Sequence, residues 1–143
     1  MKLLVSACLL GCCCRYDGAS KPHPQTDALA QRHVLVPVCP EQLGGLPTPR
    51  PPAERRGDRV VTREGADVTE QYRRGAEEVL RLGRLLGCEA AVLKERSPSC
   101  GRGSVYDGTF SGMLCPGDGV TAELLNRQGI PVYGESELEK FLK

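Results

Sequence analysis

Three cysteines of this chain each stand where a short apolar run breaks into a loop: Cys8 in Ser6-Ala7-Cys8-Leu9-Leu10-Gly11, Cys39 in Pro37-Val38-Cys39-Pro40-Glu41, and Cys100 in Ser97-Pro98-Ser99-Cys100-Gly101. An open parallel α/β sheet lines up the carboxyl ends of its strands along one edge, so loops leaving three strands meet there although they are far apart in sequence. Three soft thiolates at one point suit a metal or an iron–sulfur cluster. The pattern thus predicts a fold and a site together.

The remaining periodicities agree with that fold. Lys2 to Ser6 and Val34 to Val38 are short apolar runs of the kind buried central strands show; Glu89 to Leu93 reads as a third buried strand and Ile130 to Tyr133 as a fourth. Between them, Asp27 to Arg32 reads as a short helix. Asp67 and Thr69 offer N-caps for a helix running to about Leu86, with Tyr72, Ala76, Val79, Leu80, Gly83 and Leu86 on one face and Gly87 at a left-handed stop. Thr121 to Gln128 reads as a helix stopped by Gly129, and Ser136 to Leu142 as a closing helix with Leu138, Phe141 and Leu142 inward. Arg59 to Thr62 is a small edge strand. Four prolines in the stretch from Gly44 to Pro52 forbid helix or central strand there, and an excursion of that length is usually functional. Gly101 to Gly119 has no period and reads as irregular structure wrapped over the site. The expectation is one α/β domain over residues 1–143: a small three-layer, Rossmann-like fold with a mostly parallel sheet of about four strands and right-handed crossovers.

Charge and aromatic content exclude several function classes. Nineteen Lys and Arg stand against 18 Asp and Glu, so no nucleic-acid or membrane-surface partner is expected; with no Trp, two Phe and four Tyr, no stacking platform for a single strand is expected either. Leu4-Val5-Ser6-Ala7-Cys8 looks like a lipoprotein cleavage box, but the apolar run before Cys8 is only Leu3 to Val5, while an export signal needs about 7–15 apolar residues. No run approaches the roughly 20 apolar residues of a membrane span. The eight cysteines are therefore expected to be reduced thiols with metal or catalytic roles in a cytoplasmic protein.

No Cys-x-x-Cys pair is present, so a zinc ribbon or a thioredoxin-type motif has little support. Cys88, between a helix stop and a buried strand, suits the core. Cys115 is undecided. Cys12, Cys13 and Cys14 are consecutive and cannot all point to one centre. Glu41, two residues beyond Cys39, is placed to act as a general base or acid, although a carboxylate in a first helical turn also complements the macrodipole. Ser97 and Ser99 suit substrate orientation as well as ordinary turn chemistry; Lys94 and Arg50 suit anion binding as well as a solvated surface. His23 and His33 have no second His at ligand spacing. Gly117-Asp118-Gly119 before a helix raises a phosphate site, but the Gly-x-x-x-x-Gly-Lys pattern is missing.

Seven motifs in fixed order, spanning nearly the whole chain, resemble the bacterial DUF523 family: Ser6-Ala7-Cys8-Leu9-Leu10-Gly11, Arg15-Tyr16-Asp17-Gly18, Pro37-Val38-Cys39-Pro40-Glu41, Gly44-Gly45-Leu46-Pro47-Thr48-Pro49-Arg50, Lys94-Glu95-Arg96-Ser97-Pro98-Ser99-Cys100-Gly101, Tyr106-Asp107-Gly108-Thr109-Phe110 and Gly117-Asp118-Gly119-Val120-Thr121-Ala122. One branch of that family, the thiouracil desulfidases, carries a [4Fe-4S] cluster on three cysteines and converts 2-thiouracil to uracil without net redox change. The resemblance implies Cys8, Cys39 and Cys100 as cluster ligands, Glu41 as acid/base and Ser97 as active-site serine. Three thiolates would leave the fourth iron open to the sulfur of a small thiolated substrate while Glu41 activates water, and the residues' own chemistry makes Ser99, Lys94 and Arg50 the expected substrate contacts. The extra C-terminal domain of some relatives is not expected here, and the Cys12-Cys13-Cys14 run departs from the family pattern, raising a fourth protein ligand that would close that iron. The competing reading is a non-enzymatic thiol or metal-binding module for sulfur transfer or redox sensing.

Overall fold

The computed structural model describes all 143 residues, 1–143. Its main sheet contains β1 (Lys2–Ser6), β2 (Val34–Val38), β5 (Ala90–Leu93) and β8 (Val132–Gly134) in the order β2-β1-β5-β8, with every neighbouring pair parallel. This is a small Rossmann-like α/β fold. Alternation along the two central strands divides the core between the faces. Leu4, Ala91 and Leu93 pack with Val79, Ala122 and Leu125 of helices α3 (Thr69–Leu86) and α4 (Val120–Arg127). Leu3, Val5, Ala90 and Val92 face the other way, against Leu29 of α1 (Thr26–Arg32) and Leu138 of the closing 3-10 turn Glu135–Phe141. Helical layers thus cover both faces.

The run Val34–Val38 reads as a buried central strand but lies at the sheet edge, with Val34 57% exposed. Pro37 accounts for this, because it has no N–H to give a second neighbour and is tolerated only where that side is open. In α3, Leu86 is exposed while Tyr72, Ala76, Val79 and Gly83 are buried. Residue Val68, not Asp67 or Thr69, occupies the N-cap; Asp67 Oδ1 still accepts the Thr69 N–H at 2.9 Å, and Thr69 Oγ1 accepts the Val60 N–H instead.

Two antiparallel hairpins interrupt the crossovers. β3 (Ala53–Arg56) pairs with β4 (Arg59–Thr62) between β2 and α3, and β6 (Ser104–Tyr106) with β7 (Leu114–Pro116) between β5 and α4. Residues 101–119 are therefore partly ordered into strands. Three residues per strand are too few to carry a period among so many glycines.

A short helix, α2 (Pro40–Leu43), follows β2 directly and lies on α3. A Cβ at Gly44 would stand 1.9 Å from the Gln71 carbonyl oxygen, and one at Gly75 1.9 Å from that of Pro40. Two glycines thus let backbone meet backbone, fixing the segment that carries Cys39 and Glu41. Gly75→Ala would gain about 1 kcal/mol in helix propensity, yet the clash falls on a backbone carbonyl that no rotamer change relieves. The expected net result is a destabilisation of about 1–3 kcal/mol, read as a lower urea midpoint. An equal or higher midpoint would refute the close approach.

Candidate active site

The sheet changes direction of winding between β1 and β5, and the crevice outside the carboxyl ends of those strands is where α/β sheets of this type place ligands. A cavity of about 550 Å³ opens there, lined by Cys8, Cys39 and Cys100 together with Glu41, Arg50, Lys94, Ser97 and Ser99. Each thiol is delivered by a different strand end. Cys8 sits on the 3-10 turn Ala7–Leu10 that follows β1, Cys39 is the N-cap of α2 after β2, and Cys100 follows the loop leaving β5.

The Cys100 loop is held from behind by α4. The first N–H groups of that helix have no side-chain cap; Val120 N–H donates to Pro98 O at 2.9 Å, and Thr121 and Ala122 donate to Ser99 O at 2.8 and 3.2 Å. These carbonyls satisfy the helix terminus and lock the loop. They also occupy the donors a phosphate would need, so Gly117-Asp118-Gly119 forms no anion cradle. Gly119 is required by the contact itself, since a Cβ would lie 2.4 Å from the Ser99 carbonyl carbon.

Glu41 is fixed at both oxygens. Arg50 Nε donates to Oε1 at 2.9 Å and Ser99 Oγ to Oε2 at 2.9 Å. Buried Arg50 spends three of its other four N–H groups on the Pro47 and Cys14 carbonyls and Thr48 Oγ1, so most of its guanidinium is committed to holding Glu41 and the surrounding loops. Lys94 Nζ pairs with Glu135 at 3.2 Å. Ser97 Oγ lies 3.0 Å from Ser99 Oγ and accepts the N–H groups of Ser99 and Cys100. Ser99 has one proton, which the carboxylate, as the stronger acceptor, takes; Ser97 then donates to Ser99, giving a continuous Ser97–Ser99–Glu41 chain. Cys100 Sγ is left to the Ser6 hydroxyl at 3.4 Å.

Burial pushes the Cys8 thiol up to about 11, against the opposing charges of Lys94 and Arg15. Burial likewise pushes Cys100 up to about 12, against the Ser6 hydroxyl. Both are therefore neutral thiols near pH 7 in the metal-free protein, and a metal must displace their protons. No three His, Cys, Asp or Glu side chains converge closely enough to hold a single metal ion.

Tyr72 and Ser6 escaped the reading of the sequence, and the run Cys12-Cys13-Cys14 was left unsorted by it. Cys14 is buried on the cavity wall beside Cys39, whereas Cys12 and Cys13 are exposed. Tyr72, on the core face of α3, also reaches the cavity, where burial and then the Glu41 carboxylate hold its phenol well above its usual range. Ser6 signalled itself only by preceding Ala7-Cys8. Cys88 lies in the core and Cys115 on β7; His33 bonds the Phe141 carbonyl and His23 accepts the Gln25 N–H.

Comparison with known proteins gives a consistent result. The family described as 2-thiouracil desulfurase matches residues 3–137. An uncharacterized protein of Bacillus subtilis (strain 168), YbbK, is 43% identical over 150 aligned positions, covering 98% of this chain and 99% of the relative. The solved structure of a [4Fe-4S]-dependent thiouracil desulfidase, TudS, superposes with a TM-score of 0.90 at 51% identity, covering 98% of this chain and 94% of that one. No helix is long and apolar enough to cross a membrane.

Proposed function

Since the chain belongs to the 2-thiouracil desulfurase family, we propose that it is a desulfidase that uses a [4Fe-4S] cluster on Cys8, Cys39 and Cys100 to hydrolyse the C–S bond of a small thiolated compound of the 2-thiouracil type. The observation that carries this reading is the joining of three strand-end thiols and a doubly anchored carboxylate in one cavity. The donor set fits the group. Three cysteine sulfurs on the wall of one cavity are the soft donors that iron–sulfur clusters take. Held by Cys8, Cys39 and Cys100, such a cluster would supply a soft Lewis acid suited to a thiocarbonyl sulfur.

The chain supplies the rest. Glu41 accepts a proton from water as its oxygen bonds to the carbon; the C–S bond then breaks, sulfur leaves as sulfide with its electron pair, and the carbonyl forms with no net redox change. Arg50 and Ser99 hold the carboxylate in one orientation, and the Ser97–Ser99 chain carries protons between it and the substrate. Cys14, buried on the cavity wall, is the candidate for a fourth thiolate, which would close the site and turn it from catalytic to structural.

Anaerobic reconstitution with iron and sulfide is expected to load about four irons per chain, and the loaded protein is expected to release uracil and sulfide in equal amounts from 2-thiouracil. Iron loading without turnover would favour the carrier reading; stoichiometric zinc without iron would remove the cluster.

A further inference from the structure

The motif Tyr106-Asp107-Gly108-Thr109-Phe110 is not used by the chemistry above, yet its turn reaches the same cavity. Phe110 has φ 58°. Bulky aromatic residues avoid this left-handed region, and its normal occupants are the glycines that stand on either side here, Gly108 at φ 92° and Gly112 at φ 81°. A turn that merely closed the β6–β7 hairpin would take glycine at position 110 as well. The backbone is instead held in place from β3. Glu54 Oε1 accepts the N–H groups of both Gly108 and Phe110, at 3.0 and 3.1 Å, and Arg56 Nε donates to the Gly108 carbonyl at 2.7 Å. Surroundings that over-determine a costly conformation are a mark of function.

The ring so placed is half-buried and lines the cavity, with the Arg63 guanidinium 5.6 Å from its centre. A core plug would be closed on all sides. We infer that Phe110 is a stacking platform for the flat face of the substrate, so that the site selects planar thiolated heteroaromatic rings over aliphatic thioamides and thioureas, and that Glu54 is the positioning residue that aims it. Every base offers a π-face, and stacking on an aromatic side chain is independent of the ring's sulfur. This rests on the desulfidase reading and adds to it the residue that recognises the ring.

The test uses anaerobically reconstituted protein, with calorimetric binding of uracil, which has the ring without the thiocarbonyl, beside steady-state kinetics on 2-thiouracil and on thioacetamide. Phe110→Gly removes the ring while relieving the backbone, so the fold is kept. It is expected to weaken uracil binding and raise KM for 2-thiouracil by about 5- to 100-fold, with most of the kinetic loss in KM, and to narrow the preference for 2-thiouracil over thioacetamide by a similar factor. Phe110→Tyr should restore both. Glu54→Ala should reproduce part of the loss, and Glu54→Gln, whose amide oxygen still accepts the two N–H groups, should recover it. Unchanged uracil affinity and KM in Phe110→Gly would overturn the platform and leave the desulfidase standing. A wild-type protein that neither binds uracil nor turns over 2-thiouracil would overturn the desulfidase reading and the platform with it.

Discussion

Cys8→Ala, Cys39→Ala and Cys100→Ala are each expected to leave the reconstituted protein with little or no bound iron, while Cys88→Ala keeps the wild-type complement of about four. The three thiols come from three strand ends, and under the proposed ligation the loss of one would leave only two protein ligands for the cluster. All four variants remove the same atoms from a buried or half-buried thiol, so they differ in position and not in chemistry. Cys88 belongs to the buried core on the α3 and α4 side of the sheet, outside the cavity, and its variant reports what loss of a buried sulfur does to the fold alone. Iron and sulfide analysis with the visible absorption spectrum reads the outcome. Iron retained in Cys100→Ala would remove that residue from the ligand set.

Glu41→Gln is expected to load iron normally and to release sulfide from 2-thiouracil at least about 10²-fold more slowly, general acid–base help being worth about 10²–10⁴ in rate. The amide keeps an oxygen for Ser99 or Arg50, so the α2 segment and its Cys39 stay in place, but it cannot take a proton from water. The loss should fall on kcat, because the group acts as water attacks and not as substrate docks. Turnover at the wild-type rate would take Glu41 out of the mechanism.

The parts of the fold legible in the sequence were those with local, repeated signals. Four apolar runs marked the strands of the main sheet, and the three- and four-residue spacing from Tyr72 to Gly83 marked α3. Cys8, Cys39 and Cys100 were legible because each ended such a run, and parallel topology brings strand ends together. What escaped depends on non-local contact. Ser6 hydrogen-bonds Cys100 across 94 positions and Ser99 reaches Glu41 across 58, and neither partner carries a mark of the other. Tyr72 read as core because it is core, and only the packing of α2 on α3 shows that the same side chain reaches the site. Arg50 read as an anion holder because a sequence shows a charge without the carboxylate and carbonyls that consume it. Of the hairpin strands only Arg59–Thr62 was read from the sequence; β3, β6 and β7 were beyond reach of any periodicity.

Those hairpins divide the molecule's duties. The thiol-bearing residues and Glu41 leave the main sheet within a few positions of its strands, whereas Phe110, Glu54 and Arg63 belong to the hairpins or their connecting turns, none of which is hydrogen-bonded into that sheet. Insertions or exchanges in the hairpins therefore leave the register of β2-β1-β5-β8 untouched. A scaffold built this way can be re-tooled for a differently shaped substrate by altering two surface ribbons while the reaction centre is inherited intact.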